Sequence, residues 1–202
     1  MKPQPCKGGY QFLKSVVDLS HLPPDKGCEV AFIGRSNAGK SSAINAITGI
    51  RGLARTSSTP GHTQMINFFI TDEPNRRLVD LPGYGYAKVP RTTKERWQKA
   101  IHQYLETRTS LKGLILVMDI RHPLKESDQQ LISWTVKCAV PVHILLTKAD
   151  KLSHAEAKKV LKEVVSALNS LGPNISVQIF SAMELEGKEQ AQSCLDQWLG
   201  FP

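Results

Sequence analysis

An apolar run, EVAFIG (Glu29 to Gly34), leads into GRSNAGKS (Gly34 to Ser41), and a helical pattern runs on from Lys40 to Thr48. Nothing else in the chain restricts its fold as strongly. The eight residues match GxxxxGK[ST], and each residue type in that pattern has a physical reason. A backbone that turns tightly around a phosphate needs glycine where a side chain would collide or where φ is positive. Its N–H groups then converge at a helix N-terminus. Lys40 is placed to reach the β- and γ-phosphates of a nucleoside triphosphate, and the Ser41 hydroxyl to ligate Mg²⁺. A strand before the pattern and a helix after it distinguish a phosphate cradle from a chance glycine turn.

The rest of the chain alternates in the same way. Short apolar runs predict strands at Glu29 to Gly34, Met65 to Ile70, Arg76 to Leu81, Gly113 to Ile120, Val142 to Lys148 and Ser176 to Ala182. Helical patterns lie between them, at 40–48, 125–138 and 188–199. Two further helices have Ser/Thr-x-x-Glu starts, Thr92 with Glu95 and Ser153 with Glu156, the spacing of a capping box. This order implies an α/β fold, a mostly parallel six-stranded sheet with helices on both faces. The turn cluster DEPN (Asp72 to Asn75) makes the second and third strands a hairpin, which places one antiparallel strand at the sheet edge.

At 202 residues, 41% hydrophobic and 22% charged, the chain has the size and composition of one globular domain. No apolar run approaches the roughly 20 residues of a membrane-spanning helix, and the N-terminus has no apolar signal-like core, so a cytoplasmic protein with no membrane partner is expected. The four cysteines are dispersed and form no metal or redox spacing. Lys and Arg outnumber Asp and Glu by 26 to 18, an excess that suits a polyanionic partner. Seven of these basic residues fall between Lys88 and Lys112 (Lys88, Arg91, Lys94, Arg96, Lys99, Arg108 and Lys112), with Trp97 and Tyr104 among them, so this stretch is the expected RNA-facing surface.

Three other segments add chemistry. Asp80 ends a strand and opens DLPG (Asp80, Leu81, Pro82, Gly83). A carboxylate there can hold Mg²⁺ through water, and the Gly83 amide can meet a γ-phosphate. TKAD (Thr147, Lys148, Ala149, Asp150) also follows a strand. The Asp150 carboxylate can accept both N1–H and the exocyclic amine of guanine, whereas adenine offers an acceptor at N1 and no C2 amine, so the base expected is guanine. The backbone N–H of Ala182, in FSA (Phe180, Ser181, Ala182), can reach guanine O6. Among the threonines of TSSTPGHTQ (Thr56 to Gln64), Thr63 is the expected second Mg²⁺ ligand, because it follows Pro60-Gly61 and immediately precedes a strand.

GRSNAGKSS, TPGHTQ.INFF, LVDLPGYGYA, MDIRHPL and LLTKADKL together resemble the EngB-type GTPases of bacteria (also called YihA or YsxC), in the Era-like branch of P-loop GTPases. The resemblance implies a Ras-like G domain over 25–202 with an N-terminal extension over 1–24. It implies a Mg²⁺-dependent GTPase, cycling between GTP and GDP, that serves large ribosomal subunit assembly and whose loss disturbs cell division and septation. Carried over by position, Gly34, Arg35, Ser36, Asn37, Ala38, Gly39, Lys40 and Ser41 bind phosphates, and Gly61, His62, Thr63 and Gln64 form the first switch. Asp80 to Gly83 begin the second switch, Thr147 to Asp150 bind guanine, and Phe180 to Ala182 close over it. Two positions depart from the family pattern. His62 replaces the usual Arg, and SAMELEG lacks a Lys shortly after its Ser.

In Ras-type catalysis a Gln just after the second-switch Gly orients the attacking water. Here that position is Tyr84, so low intrinsic turnover is expected. Several Era-like GTPases use an Asn in the cradle to bind K⁺, and Asn37 resembles that residue, which makes Lys40, Thr63 and Asn37 the expected catalytic set. A monomer bound to the large-subunit precursor and its rRNA is the expected functional form. The alternative is a non-catalytic scaffold that retains GTP structurally.

Overall fold

The computed structural model describes residues 9–55, 65–73, 75–85 and 91–201. Seven strands and five α-helices alternate along the described chain. The strands are β1 (Gln11–Val16), β2 (Cys28–Gly34), β3 (Ile66–Ile70), β4 (Arg76–Asp80), β5 (Leu111–Asp119), β6 (Val142–Thr147) and β7 (Ile175–Ile179). The helices are α1 (Lys40–Thr48), α2 (Arg91–Thr107), α3 (Glu126–Lys137), α4 (His154–Leu168) and α5 (Lys188–Leu199). Ser153 and Glu156 form the expected capping box of α4, the hydroxyl accepting from the Glu156 amide. The start proposed at Thr92 differs, because α2 is already helical at Arg91.

The sheet order is β1-β3-β4-β2-β5-β6-β7. β2, β4, β5, β6 and β7 run parallel, and β3 and β4 form the expected antiparallel hairpin, with Asn67 opposite Asp80. Two features correct the sequence expectation of six strands and an antiparallel edge. β1 is a seventh strand, and the antiparallel strand β3 lies one place inside the edge, paired with β1 on its far side. β1 carries little apolar signal because only Val16 is buried, and a register shift between Phe12 and Lys14 interrupts its alternation.

β2 shows why the interior strands read as continuous apolar runs. Val30 and Phe32 join one core with Ile44 and Ile47 of α1 and Ala191, Leu195 and Leu199 of α5. Ala31 and Ile33 point the other way, toward Ile101 and Leu105 of α2, Leu131 and Ile132 of α3 and Val164 of α4. Each large side chain so buried contributes roughly 1.5–3 kcal/mol relative to exposure.

A buried ionic cluster fastens the N-terminal ends of the strands, the edge opposite α1. The fully buried Glu29 carboxylate accepts from Arg77 Nε at 2.7 Å, Tyr104 Oη at 2.8 Å, and Arg108 Nη2 and Nε at 2.7 and 2.9 Å. Arg77 and Arg108 also donate to the Pro24 and Pro23 carbonyls at 3.0 and 2.8 Å, and Asp25 accepts from the Thr109 and Ser110 amides. Burial alone would raise the Glu29 pKa. Hydrogen bonds and charge from Arg108, with Tyr104 and Arg77, instead hold it below the usual carboxylate value.

This cluster corrects the expected RNA surface. The side chains of Arg108 and Tyr104 belong to the interior, bonded to Glu29, and only part of the Lys88 to Lys112 stretch remains outside. Arg96, Lys99 and Lys112 are exposed, whereas Lys88 and the side chains of Arg91, Lys94 and Trp97 lie outside the described residues. Among the described residues, no helix is long and apolar enough to cross a membrane.

Candidate functional site

In open α/β sheets, ligands bind beyond the carboxyl ends of the strands, where chain segments diverge. At that edge β2, β4, β5, β6 and β7 deliver the segments beginning at Gly34, Asp80, Asp119, Thr147 and Phe180. Four of these five came from the sequence.

The cradle has the predicted backbone. Gly39 caps α1 with φ 94°, and Asn37 takes a left-handed φ of 64°, so two of the eight residues adopt the conformation that wraps a loop around an anion. Gly34 answers a different demand. A Cβ there would stand 2.5 Å from the Val117 carbonyl oxygen, so a side chain would push the cradle strand off β5.

Lys40 forms an ion pair with Asp80, and both side chains are nearly buried. The β2–β4 register, Phe32 opposite Asp80, brings the carboxylate beside the cradle. Asp80 also receives Asn67 Nδ2 at 3.4 Å, and the amide is held in that orientation by Ser15 Oγ, which donates to Asn67 Oδ1 at 2.7 Å. Sequence reasoning missed Asn67 and Ser15: Asn67 is a lone half-buried polar residue in an apolar strand, and Ser15 is exposed on a strand with almost no apolar pattern. The segment after Asp80 folds back on the cradle. Tyr84 N–H donates to the Gly34 carbonyl at 3.1 Å, and Ser36 N–H donates to the Tyr84 carbonyl at 2.9 Å.

Tyr84 is buried, and its hydroxyl donates to Asp128 Oδ1 at 2.6 Å at the start of α3. Burial first, then the Asp128 charge, pushes the phenol well above its ordinary pKa, so it stays protonated. Its one proton is therefore committed to Asp128.

At the other end of the site, the Thr147 hydroxyl lies 2.5 Å from the Ala38 carbonyl and 2.9 Å from that of Met118, tying the TKAD segment to both cradle and β5. Lys148, at φ 61°, sends its ammonium to the Asn37 carbonyl at 2.7 Å and to Asp119 Oδ2 at 2.9 Å. Asp150 accepts from Ser181 Oγ at 2.8 Å, and Lys151 Nζ lies 3.0 Å from its other oxygen. Those contacts, from Lys151 and then Ser181, lower its pKa and keep it an acceptor. The Phe180 carbonyl accepts from Ala149 N–H at 3.3 Å, which brings Phe180 to Ala182 against the TKAD turn.

Gly61, His62, Thr63 and Gln64 lie outside the described residues. The other expected site residues come together at this edge. The hydroxyl of Ser41 and the carboxylate of Asp80 are hard oxygen donors of the kind Mg²⁺ selects, and Asp80 already holds a cation, the Lys40 ammonium, against it. The residues therefore fit a Mg²⁺–nucleotide ligand.

A strand–cradle–helix unit with an acidic strand end beside its lysine defines the P-loop nucleotide-binding class of α/β protein. The sequence profile of the 50S ribosome-binding GTPases matches residues 29–148. The chain is 55% identical over 197 residues to the Probable GTP-binding protein EngB of Coxiella burnetii (strain RSA 493), covering 98% of this chain and 96% of that one. It is also 55% identical over 188 residues to the EngB of Colwellia psychrerythraea, covering 93% and 84%. The chain belongs to the EngB family of ribosome-binding, GTP-binding proteins. In fold, it is similar to the crystal structure of a probable GTP-binding protein engB, with TM-score 0.68 at 21% identity over 86% of this chain and 99% of that one. It is similar too to Aquifex aeolicus Era bound to GDP and AlF4⁻, with TM-score 0.69 at 19% identity over 88% and 57%.

Proposed function

We propose that the chain is a slow, Mg²⁺-dependent GTPase switch whose nucleotide state governs its binding to the large ribosomal subunit precursor, with a downstream requirement in cell division and septation. The observation that carries this reading is the Lys40–Asp80 pair joined to a second switch already hydrogen-bonded to the cradle. Nucleotide entry draws Lys40 onto the β- and γ-phosphates and frees the Asp80 carboxylate. Ser41 and Asp80 would then hold Mg²⁺, which would supply positive charge to the phosphates. The cradle amides and Lys40 hold the γ-phosphoryl group in place for water to attack in line, giving GDP and phosphate. Asp80 and Tyr84 lie on the segment that reads the change, so loss of the γ-phosphate is felt where the second switch touches Gly34 and Ser36.

The rate reading rests on Tyr84. A buried phenol donating to Asp128 at 2.6 Å has no proton with which to orient water, and the position offers no Gln in its place. Asn37, held in a left-handed turn with its carbonyl engaged by Lys148, is the cradle residue proposed to bring K⁺ beside the phosphates. GTP hydrolysis measured at equal ionic strength should be faster in KCl than in NaCl, on the order of tenfold for one added charge in the site. Equal rates would end the K⁺ proposal.

For the partner, exposed Arg96 and Lys99 on α2 support phosphate contacts that position the protein on RNA without reading its sequence. Exchanging Lys94, Arg96 and Lys99 together for Glu should weaken co-sedimentation with ribosomal particles by at least roughly tenfold at low salt and leave GDP affinity unchanged. Undiminished pelleting would refute this surface. The same assay with GDP and a non-hydrolysable GTP analogue separates the switch from a second reading, a scaffold that merely retains GTP, which the engaged Tyr84 favours. A scaffold pellets equally in both states.

A further inference from the structure

The motif MDIRHPL contributes two charged residues, Asp119 and Arg121, to which the functional reading so far assigns no task. The sheet puts Asp119 at the carboxyl end of β5, opposite Thr147 in the parallel register with β6, one residue short of Lys148. The Asp119 carboxylate is saturated. Oδ1 accepts from Arg121 N–H at 3.1 Å and Arg121 Nε at 2.9 Å, while Oδ2 accepts from Arg121 Nη2 at 2.7 Å and stands 2.9 Å from Lys148 Nζ. The turn beneath is braced by Ile120 N–H on the Thr147 carbonyl and His122 N–H on the Asp119 carbonyl, both at 2.9 Å. Burial opposes the charge on Asp119, but its bonds from Arg121 and Lys148 hold the carboxyl well below its ordinary range.

Lys148 is consequently gripped at both ends. Its backbone is fixed at φ 61°, and its ammonium is shared between Asp119 and the Asn37 carbonyl of the cradle. A lysine stem free in water loses considerable rotamer entropy when a ligand immobilises it, and here that loss is incurred during folding. Asp150 also acts on Arg121 through space.

We propose that Asp119, oriented by the forked guanidinium of Arg121, is a positioning residue for the guanine site: it pre-sets Lys148 as the wall along which the base lies and so slows nucleotide release. This rests on the reading of Thr147 to Asp150 as the guanine site, and the test keeps the two separate. The readout is the dissociation rate of a fluorescent GDP analogue from the full chain with Mg²⁺, for D119N, K148A and the double variant, with D150N as a control on the site itself. D119N should release the nucleotide roughly tenfold faster, the scale of one restored rotamer-rich side chain. In the K148A background the same change should add nothing, because Asp119 acts only through Lys148. A rate for D119N within twofold of the parent, or factors that multiply in the double variant, overturns the proposal. If D119N does not fold, R121Q, at an exposed position, takes its place in the same cycle with a smaller effect expected to vanish likewise. Unchanged GDP binding by D150N would instead refute the site reading, whatever D119N does.

Discussion

Asp150→Asn is expected to reduce GDP affinity by on the order of 10⁴-fold and to shift preference toward xanthine nucleotides. Guanine presents two donors side by side, N1–H and the C2 amine, and the Asp150 carboxylate is an acceptor at both oxygens. Ser181 already holds one oxygen from the far side, so the carboxylate is aimed before a base arrives. An Asn keeps the shape but offers one acceptor and one donor. Its NH₂ would face the guanine amine donor to donor, with neither group satisfied by the other. Xanthine has a carbonyl at C2, which accepts from that NH₂. Competition of GDP, XDP and ADP against a fluorescent nucleotide checks the prediction. A variant that keeps its GDP preference would show that base selection lies elsewhere in the chain.

The largest effect on stability is expected at Glu29→Gln. The parent carboxylate faces two guanidiniums and a phenol at full burial, and the amide removes the counter-charge of Arg77 and leaves Arg108 to Asp25, 3.6 Å from its Nε. Breaking a buried ion pair from one side costs roughly 3–5 kcal/mol, a large share of the stability of one domain. Urea unfolding at neutral pH should show a loss of that size. The pH dependence gives a second check. Glu29 holds its proton less tightly when folded than when unfolded, so the unfolded chain binds more protons in acid and stability falls with pH below the ordinary value of 4.5. The gap between parent and variant should therefore be widest at neutral pH and narrow as the solution is acidified. A constant gap would mean that Glu29 contributes through shape rather than charge.

The site edge was largely legible in the sequence because its segments are short, local and chemically unusual. Gly34 to Ser41, Asp80 and Thr147 to Asp150 each stand at the end of a buried apolar run, and a short run of that kind bounded by turn residues reads as an interior strand. What escaped was set by contacts distant in the chain. Arg108 and Tyr104 look like members of a basic, aromatic-studded helix until Glu29, 79 residues from Arg108, draws them inward. Asp119 was visible as part of a family motif, but its task depends on which neighbour β5 pairs with, and periodicity does not report strand order. β1 was lost for the opposite reason, since a strand that buries one side chain leaves almost no pattern to detect.

β1 also bears on how the chain can be cut. A shortened protein that begins at residue 25 keeps every phosphate- and base-facing segment, yet it strips the outer partner from β3 along Ile66 to Ile70. The backbone groups that β1 now satisfies would become a bare rim, with Phe69 losing the Phe12 ring packed edge-on against it. Such a rim recruits other chains. β1, itself an edge strand, is the safer edge, because the register shift between Phe12 and Lys14 interrupts the row on which another chain would pair.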